Sequence, residues 1–122
     1  MNIVTKFCLW ETVFCRIKHK LLVFDLGSMQ NRRRTRWIRV EGKLQQIDSG
    51  PFGCVWGTDR QNRIWYRTKI TWKLRQGRKW GRIPGALKYA SCGQYGAWGV
   101  NKYGYIYFRR GVTNVRPQGM QC

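Results

Sequence analysis

Short apolar segments separated by polar turns run along most of the chain, and from residue 37 onward the same pattern occurs twice. The matching segments are 37–44 with 80–87, 55–59 with 97–101, and 64–67 with 106–109. The offset is 43 residues between Trp37 and Trp80 and 42 residues between Trp56 and Trp98, because the first copy holds one extra residue. Most of the identical positions are Trp or Gly, so chance is a poor explanation and the pattern indicates an internal repeat.

Each copy is predicted to form four short β-strands. In the first copy the predicted strands are 37–40, 44–47, 55–58 and 63–67, and in the second copy the predicted hairpin is 97–101 with 105–109. Turns follow the first strand of both copies, at Glu41-Gly42 and Pro84-Gly85. Repeats of roughly 40 to 45 residues built from short strands are typical of propeller blades. The predicted fold is therefore all-β, a partial β-propeller of about two four-stranded blades at 37–79 and 80–122.

The segment 1–36 contains no copy of the repeat. Its residues 12–26 alternate loosely between apolar and basic, which fits either a short amphipathic helix or a strand. The cluster Arg32–Arg36 that follows is either an anion-binding or nucleic-acid-binding patch or a solvated linker. The segment is treated as an unmatched basic N-terminal region.

Charge is strongly unbalanced, with 24 Lys and Arg against 5 Asp and Glu and a net charge of +19. No acidic residue follows Asp59. Such a field attracts polyanions, among them nucleic acid, anionic lipids, lipopolysaccharide phosphates and sulfated glycans. The same imbalance is also expected of a chain taken from a larger protein.

Cysteine and histidine usage gives no sign of a metal or cofactor site. The cysteines number 5, an odd count, at spacings that match no usual zinc pattern, and His19 is the one histidine. Cys54 and Cys92 occupy nearly equivalent places in the two copies, so they either pair with partners absent here or are small buried side chains. We predict no metal, no cofactor and no transmembrane segment, and we see no clean signal peptide.

The repeated motifs resemble those of the tectonin repeat family, and within it those of the fish-egg lectins. The resemblance rests on residues 37–44 with VWGTD at 55–59 and IWYR at 64–67, and on residues 80–87 with AWGVN at 97–101 and IYFR at 106–109. It covers about residues 37 to 119 and is in register twice. It implies a secreted β-propeller lectin that binds N-acetylated sugars or bacterial lipopolysaccharide in egg protection or innate defence.

Two copies are fewer than the four or so blades that a closed propeller needs. A further copy would begin at position 122 or 123, where the sequence ends. The expectation is a fragment of a longer lectin, or a chain that self-associates to complete a propeller, since open sheet edges favour association.

Six residues are candidates for ligand binding: Trp56, Asp59, Arg67, Trp98, Asn101 and Arg109. The two Trp side chains either stack on sugar rings or pack between blades. The Asp and Asn either contact sugar hydroxyls or only form their turns. The two Arg side chains either bind a phosphate or carboxylate, or hydrogen-bond to loop carbonyls.

An enzyme is not expected from these residues. The second copy contains no Asp or Glu, so nothing there pairs two acids as a glycosidase requires. With His19 as the one histidine, a nucleophile has no base within the repeats. The leading hypothesis is a lectin. The alternatives are a basic module that binds polyanions or nucleic acid through charge, and a fragment without function of its own.

Overall fold

The computed structural model describes residues 5–7, 12–17, 20–25 and 37–120, and the regular structure in these ranges is β-strand apart from a short 3-10 turn. The strands are β1 (Thr5–Phe7), β2 (Thr12–Ile17), β3 (Lys20–Asp25), β4 (Trp37–Val40), β5 (Gln46–Ser49), β6 (Val55–Thr58), β7 (Arg63–Arg67), β8 (Trp80–Ala86), β9 (Tyr89–Cys92), β10 (Gly96–Val100) and β11 (Ile106–Arg110). The all-β class is therefore confirmed. Residues 12–26, which fit a helix or a strand from sequence alone, contain β2 and β3.

The strands form three antiparallel sheets. The first sheet has the order β1-β2-β3-β4, the second β5-β6-β7-β8, and the third β9-β10-β11. Strands that are neighbours in a sheet are also neighbours along the chain, as expected when short turns join antiparallel strands. The three described sheets do not close into a ring, so a complete propeller stays a prediction.

The observed strands agree closely with the predicted ones, except at Pro84-Gly85. The turn predicted there is wrong, because β8 continues to Ala86, which still pairs with Arg63 of β7. The grouping into sheets also differs. Strand β4, which opens the first copy, pairs with β3, and β8, which opens the second copy, pairs with β7 so that Trp80 lies opposite Arg67. After β4 the chain turns at Gly42, where φ is +107°, and passes to the next sheet instead of folding back on β4. The expectation that each copy forms its own four-stranded blade is therefore corrected. Each of the first two sheets ends with the opening strand of the following copy.

The second sheet is buried on both faces. Val55 and Trp56 are successive residues of β6, so their side chains point to opposite faces, and they are 0% and 2% exposed. The cluster around Val55 includes Val40 of the first sheet, and the cluster around Trp56 includes residues of the third sheet. Strand β11, by contrast, is exposed along most of its length. Among the residues that the structure describes, the third sheet is thus covered on one face only.

Polar side chains of the second sheet hold the third sheet in place. The amide of Gln46 exchanges two hydrogen bonds with the backbone of Ala90, at 2.6 and 3.0 Å. The carboxylate of Asp48 accepts a hydrogen bond from the backbone N–H of Cys92 at 2.8 Å, and the hydroxyl of Thr58 donates to a backbone carbonyl just before β9 at 3.0 Å. Buried bonds of this kind fix the position of the third sheet against the second.

The glycine after each repeated Trp permits close packing. A Cβ atom at Gly57 would lie 2.6 Å from the carbonyl oxygen of Gln46 on the neighbouring strand and 2.6 Å from Leu44. A Cβ atom at Gly99 would overlap Leu87, the residue that aligns with Leu44. The repeated Leu therefore packs over the repeated Gly, which explains why these two positions recur together.

Candidate functional site

A cavity of about 350 Å³ lies between the second and third sheets beside β11, and its lining includes the buried side chains of Trp56, Ile64 and Ile83. Trp98 on β10 and Phe108 on β11 face each other across the strands, with ring centroids 4.6 Å apart. Tyr107 and Arg109 line the cavity with Pro84 of β8. They pair with Gly99 and Ala97, so they point to the face of the third sheet opposite Trp98 and Phe108. The cavity is therefore a largely apolar cleft with exposed aromatic rings and a guanidinium group, which we call the aromatic cleft.

The repeated Trp residues occupy opposite environments. Trp56 is 2% exposed, and its indole N–H donates a hydrogen bond of 2.7 Å to the carbonyl of Pro117. Trp98 is 54% exposed. The difference arises because the third sheet covers Trp56, whereas no described residue covers the face that carries Trp98. Trp56 thus has the position of a packing residue, and Trp98 has the accessible ring that stacking on a ligand requires.

Asp59 and Asn101 form equivalent turns. The Oδ1 atom of Asp59 accepts hydrogen bonds from the backbone N–H groups of Gln61 and Arg63, each at 2.9 Å. The Oδ1 atom of Asn101 accepts from the N–H groups two and four residues further on, each at 3.0 Å. The second oxygen of Asp59 accepts from the Arg63 guanidinium at 2.6 Å and from the Trp65 indole at 3.0 Å. These bonds favour the turn-forming role for both residues.

Replacing Asp59 with asparagine is expected to reduce the acid sensitivity of the fold. Burial raises the pKa of Asp59, but hydrogen bonds from Trp65, Arg63 and Gln61 outweigh burial and leave this pKa below its usual value. Those bonds stabilise the fold above about pH 4 and are lost as the pH falls through the lowered pKa. Asn keeps the Oδ1 acceptor that Asn101 uses, so D59N is expected to cost only about 1 kcal/mol at pH 7.

Urea unfolding of the wild type and of D59N at pH 7, 4 and 2.5 measures this effect. The free energies of unfolding are expected to converge as the pH falls, because the wild type loses the contribution of the Asp59 carboxylate and the variant has none to lose. A constant difference between the two proteins at all three pH values would contradict the assignment.

Arg67 is buried and fully engaged by the chain. It is 2% exposed, its Nε donates to the carbonyl of Gln76 at 2.8 Å, and its two Nη atoms reach the carboxylate of Glu41 at 2.7 and 3.3 Å. Its guanidinium also lies over the ring of Trp80, 5.1 Å from the centroid. The hydrogen bond from Arg67 lowers the pKa of Glu41 below its usual value, against a smaller effect of burial. Arg67 therefore joins the loop between β4 and β5 to the second sheet.

Arg109 repeats only part of this arrangement. Its Nε donates to the carbonyl of Gln118 at 2.6 Å, as Arg67 does to Gln76. In the part of the chain that the structure describes, no hydrogen bond or ion pair occupies its Nη atoms. Its guanidinium is partly exposed at the wall of the aromatic cleft.

The structure thus separates the six candidates into two groups. The lining of the aromatic cleft contains three of them: Trp56, Trp98 and Arg109. The side chains of the other three form hydrogen bonds with other groups of the chain and do not line the cleft: Asp59, Arg67 and Asn101. Sequence reasoning missed Tyr107 and Phe108 as cleft residues. The available signal was that this aromatic pair aligns with a second aromatic pair at 65–66.

Several predicted features fall outside the described residues, namely the cluster Arg32–Arg36, His19 and Cys122. In the ranges that the structure describes, no group of three or more His, Cys, Asp or Glu side chains is placed to hold a metal ion. No helix in those ranges has the length and apolar character needed to cross a membrane. Cys54 and Cys92 are both buried, and their Sγ atoms lie 2.8 Å apart.

Known proteins share this arrangement of motifs. Residues 19–121 match the tectonin domain family, so the match begins well before Trp37 and includes part of the segment that shows no repeat motif. The chain is also similar to the fish-egg lectin of Cyprinus carpio, with 27% identity over 113 residues. That alignment covers 91% of this chain and 44% of the lectin, so the chain spans less than half the length of the curated relative it matches. Both findings confirm the resemblance seen in the sequence.

Proposed function

Because the chain belongs to the tectonin domain family, we propose that it is a non-enzymatic lectin that binds carbohydrate in the aromatic cleft. The observation that carries the proposal is the exposed, cross-strand pair of Trp98 and Phe108 beside Tyr107 and Arg109. Aromatic rings offer large apolar faces at low entropic cost, and the C–H face of a sugar ring packs well on such surfaces. The similarity to a protein named fish-egg lectin supports the same class of ligand.

The proposed ligands are N-acetylated sugars or bacterial lipopolysaccharide, and the proposed location is outside the cell, in egg protection or innate defence. The apolar methyl of an N-acetyl group adds surface that the paired rings of Trp98 and Phe108 can cover. The carp relative's name supports an egg-associated, extracellular protein.

A second copy of the chain is the competing occupant of this face, through the self-association that the open sheets suggest. A sheet seated there as the third sheet sits on the second would bury Trp98. The second sheet holds the third through the side chains of Gln46, Asp48 and Thr58, but these residues are not repeated in the third sheet. The residues that align with them are Tyr89, Ser91 and Val100. Because these replacements lack the amide and the carboxylate, the third sheet is poorly equipped to hold another sheet. We therefore assign the face to a ligand.

Affinity chromatography tests the proposal. The wild type is expected to bind immobilised N-acetylglucosamine or lipopolysaccharide and to elute with free N-acetylglucosamine. W98A is expected to lose about tenfold in affinity, as removal of one stacking ring costs about 1.4 kcal/mol. W72A is the matched control, because Trp72 is 68% exposed and does not line the aromatic cleft. Failure of the folded wild type to bind either resin, or equal losses in W98A and W72A, would refute the proposal.

The charge of +19 favours a second candidate function, binding of polyanions such as nucleic acid. Binding of that kind releases counterions and weakens steeply with salt, without regard to sugar identity. Repeating the chromatography between 50 and 200 mM salt, concentrations over which phosphate-driven binding falls by orders of magnitude, separates the two functions. Elution by salt alone, with no effect of free sugar, would support the polyanion-binding module instead of the lectin.

A further inference from the structure

The chain contains an occupied and an unoccupied version of the same arginine site. In the occupied version, the guanidinium of Arg67 is anchored by its Nε to a loop carbonyl, and both Nη atoms face the carboxylate of Glu41. Two parallel N–H to oxygen bonds are the geometry in which arginine recognises carboxylates and phosphates. The site at Arg67 therefore shows that an arginine anchored in this way binds a carboxylate, which here comes from Glu41 of the same chain.

At Arg109 the same anchor is present but the anion is missing. The Nε of Arg109 donates to Gln118, which aligns with Gln76. The residue that aligns with Glu41 is Pro84. The next residues, Gly42 and Gly85, both have φ of +107°, although Glu41 follows the end of β4 and Pro84 lies within β8. The acid of the first copy is thus absent at the aligned position of the second copy.

The empty position lies in the aromatic cleft. Both Pro84 and Arg109 line it, together with Trp98. Tyr107 points to the same face of the third sheet as Arg109, so an anion bound by Arg109 would lie within reach of a ring held against Tyr107. The sequence offers no internal replacement in the second copy, because no acidic residue follows Asp59.

We propose that the aromatic cleft is specific for acidic sugars, whose carboxylate or phosphate binds the guanidinium of Arg109 as the Glu41 carboxylate binds Arg67. The inference rests on the proposed lectin function and defines its ligand class further. The sugar ring supplies the apolar face for Tyr107, and its acidic group supplies the charge. Since the Nε of Arg109 already donates a hydrogen bond, its guanidinium group is partly ordered before the ligand binds. This order reduces the entropic cost of binding.

The test compares the affinities of a neutral sugar and of two acidic sugars, measured by calorimetry at constant ionic strength. The probes are N-acetylglucosamine, N-acetylglucosamine 6-phosphate and glucuronic acid, with inorganic phosphate as a fourth ligand. The wild type is expected to bind at least one acidic sugar about tenfold more tightly than N-acetylglucosamine. The two acidic probes tell whether a phosphate or a carboxylate is the preferred group. Inorganic phosphate is expected to bind more weakly than the preferred sugar, because it offers no ring to pack on Tyr107.

Three variants test whether Arg109 causes the preference for acidic sugars. R109Q is expected to reduce the acidic-to-neutral affinity ratio to about one, whereas R110Q, which removes the same charge from an exposed neighbour, keeps the ratio. P84E restores the acid of the first copy and is expected to lower the ratio by occupying Arg109 from within. Thermal unfolding of each variant verifies that it is folded.

The possible results separate this inference from the proposed function. An equal affinity of the wild type for neutral and acidic sugars, or equal effects of R109Q and R110Q, would overturn the role of Arg109 while leaving the lectin function intact. An absence of binding to every sugar by the folded wild type would overturn both.

Discussion

W56A is expected to destabilise the fold by about 3 to 5 kcal/mol, whereas W98A changes the free energy of unfolding by about 1 kcal/mol or less. The two residues occupy equivalent positions of the repeat, and both follow a buried residue of a central strand. Trp56 is 2% exposed and donates a buried hydrogen bond to Pro117, so its removal leaves a cavity and an unsatisfied carbonyl. Trp98 is 54% exposed, so its removal costs little buried area.

Urea unfolding followed by far-UV circular dichroism and tryptophan fluorescence measures both free energies. W98A serves as the control for W56A, because the two substitutions remove the same side chain from the same place in the motif. Since small domains are stable by only about 5 to 15 kcal/mol, W56A is expected to be largely unfolded or to unfold at much lower urea. Similar losses in the two variants would mean that Trp98 is also buried, and would contradict an open third sheet.

Oxidation of Cys54 and Cys92 to a disulfide is expected to stabilise the fold by about 4 kcal/mol, the chain-entropy value for a loop of this length. Their Sγ atoms lie 2.8 Å apart across a separation of 38 residues, and both are buried between the second and third sheets. The two thiols would give up two protons and two electrons, and an oxidant such as glutathione disulfide would be reduced to two thiols. The bond would join the second and third sheets covalently.

Burial keeps this reaction slow in the folded protein. Burial in the core, together with the neighbouring Cys54, raises the pKa of the Cys92 thiol well above its usual value, and the thiolate is the reactive form. The disulfide is therefore expected to form during refolding in a glutathione redox buffer, before the core excludes the oxidant.

Peptide mapping without reductant, combined with thermal unfolding before and after reduction, measures this bond. A peptide that joins Cys54 to Cys92, and a lower melting temperature after reduction, are the expected results. C54A is the control, and its stability is expected to be independent of reductant. Two free thiols after oxidative refolding, or bridges to other cysteines, would show that the buried pair is not a disulfide site.

Strand positions were predictable because the local signals are strong. The alternation of apolar residues and the turn at Glu41-Gly42 placed the strands of the first copy within two residues. The turn predicted at Pro84-Gly85 was wrong, because β8 continues to Ala86. The partners of β4 and β8 were not predictable from the repeat alone. Both strands lie at the start of a copy in sequence, but hydrogen bonding joins them to the preceding strand across a loop. Which strands share a sheet depends on the path of the chain between them, and the length of the repeat gives no information about that path.

The candidate site was predictable in part. The repeat identified Trp98 and Arg109, but it gave equal weight to Trp56 and Arg67, since aligned positions have the same sequence signal. Exposure separates them, and exposure depends on whether a neighbouring sheet covers the residue. The pairing of Arg67 with Glu41 likewise depends on contacts between sheets. Comparison of the two copies shows that Pro84 replaces Glu41. The sequence alone does not show that this replacement leaves Arg109 without a carboxylate partner, because that conclusion needs the position of Arg109 in the fold.

The indole N–H signals of the protein during a sugar titration, recorded by two-dimensional NMR, test the central claim most directly. The chain has 7 Trp residues, and W98F and W72F identify the two signals of interest. If the aromatic cleft is the carbohydrate site, N-acetylglucosamine or its 6-phosphate shifts the Trp98 signal in a saturable way. The signal of Trp72, which does not line the cleft, stays in place. A titration in which the sugar binds but the Trp98 signal stays unchanged, or in which no signal responds, would contradict the account.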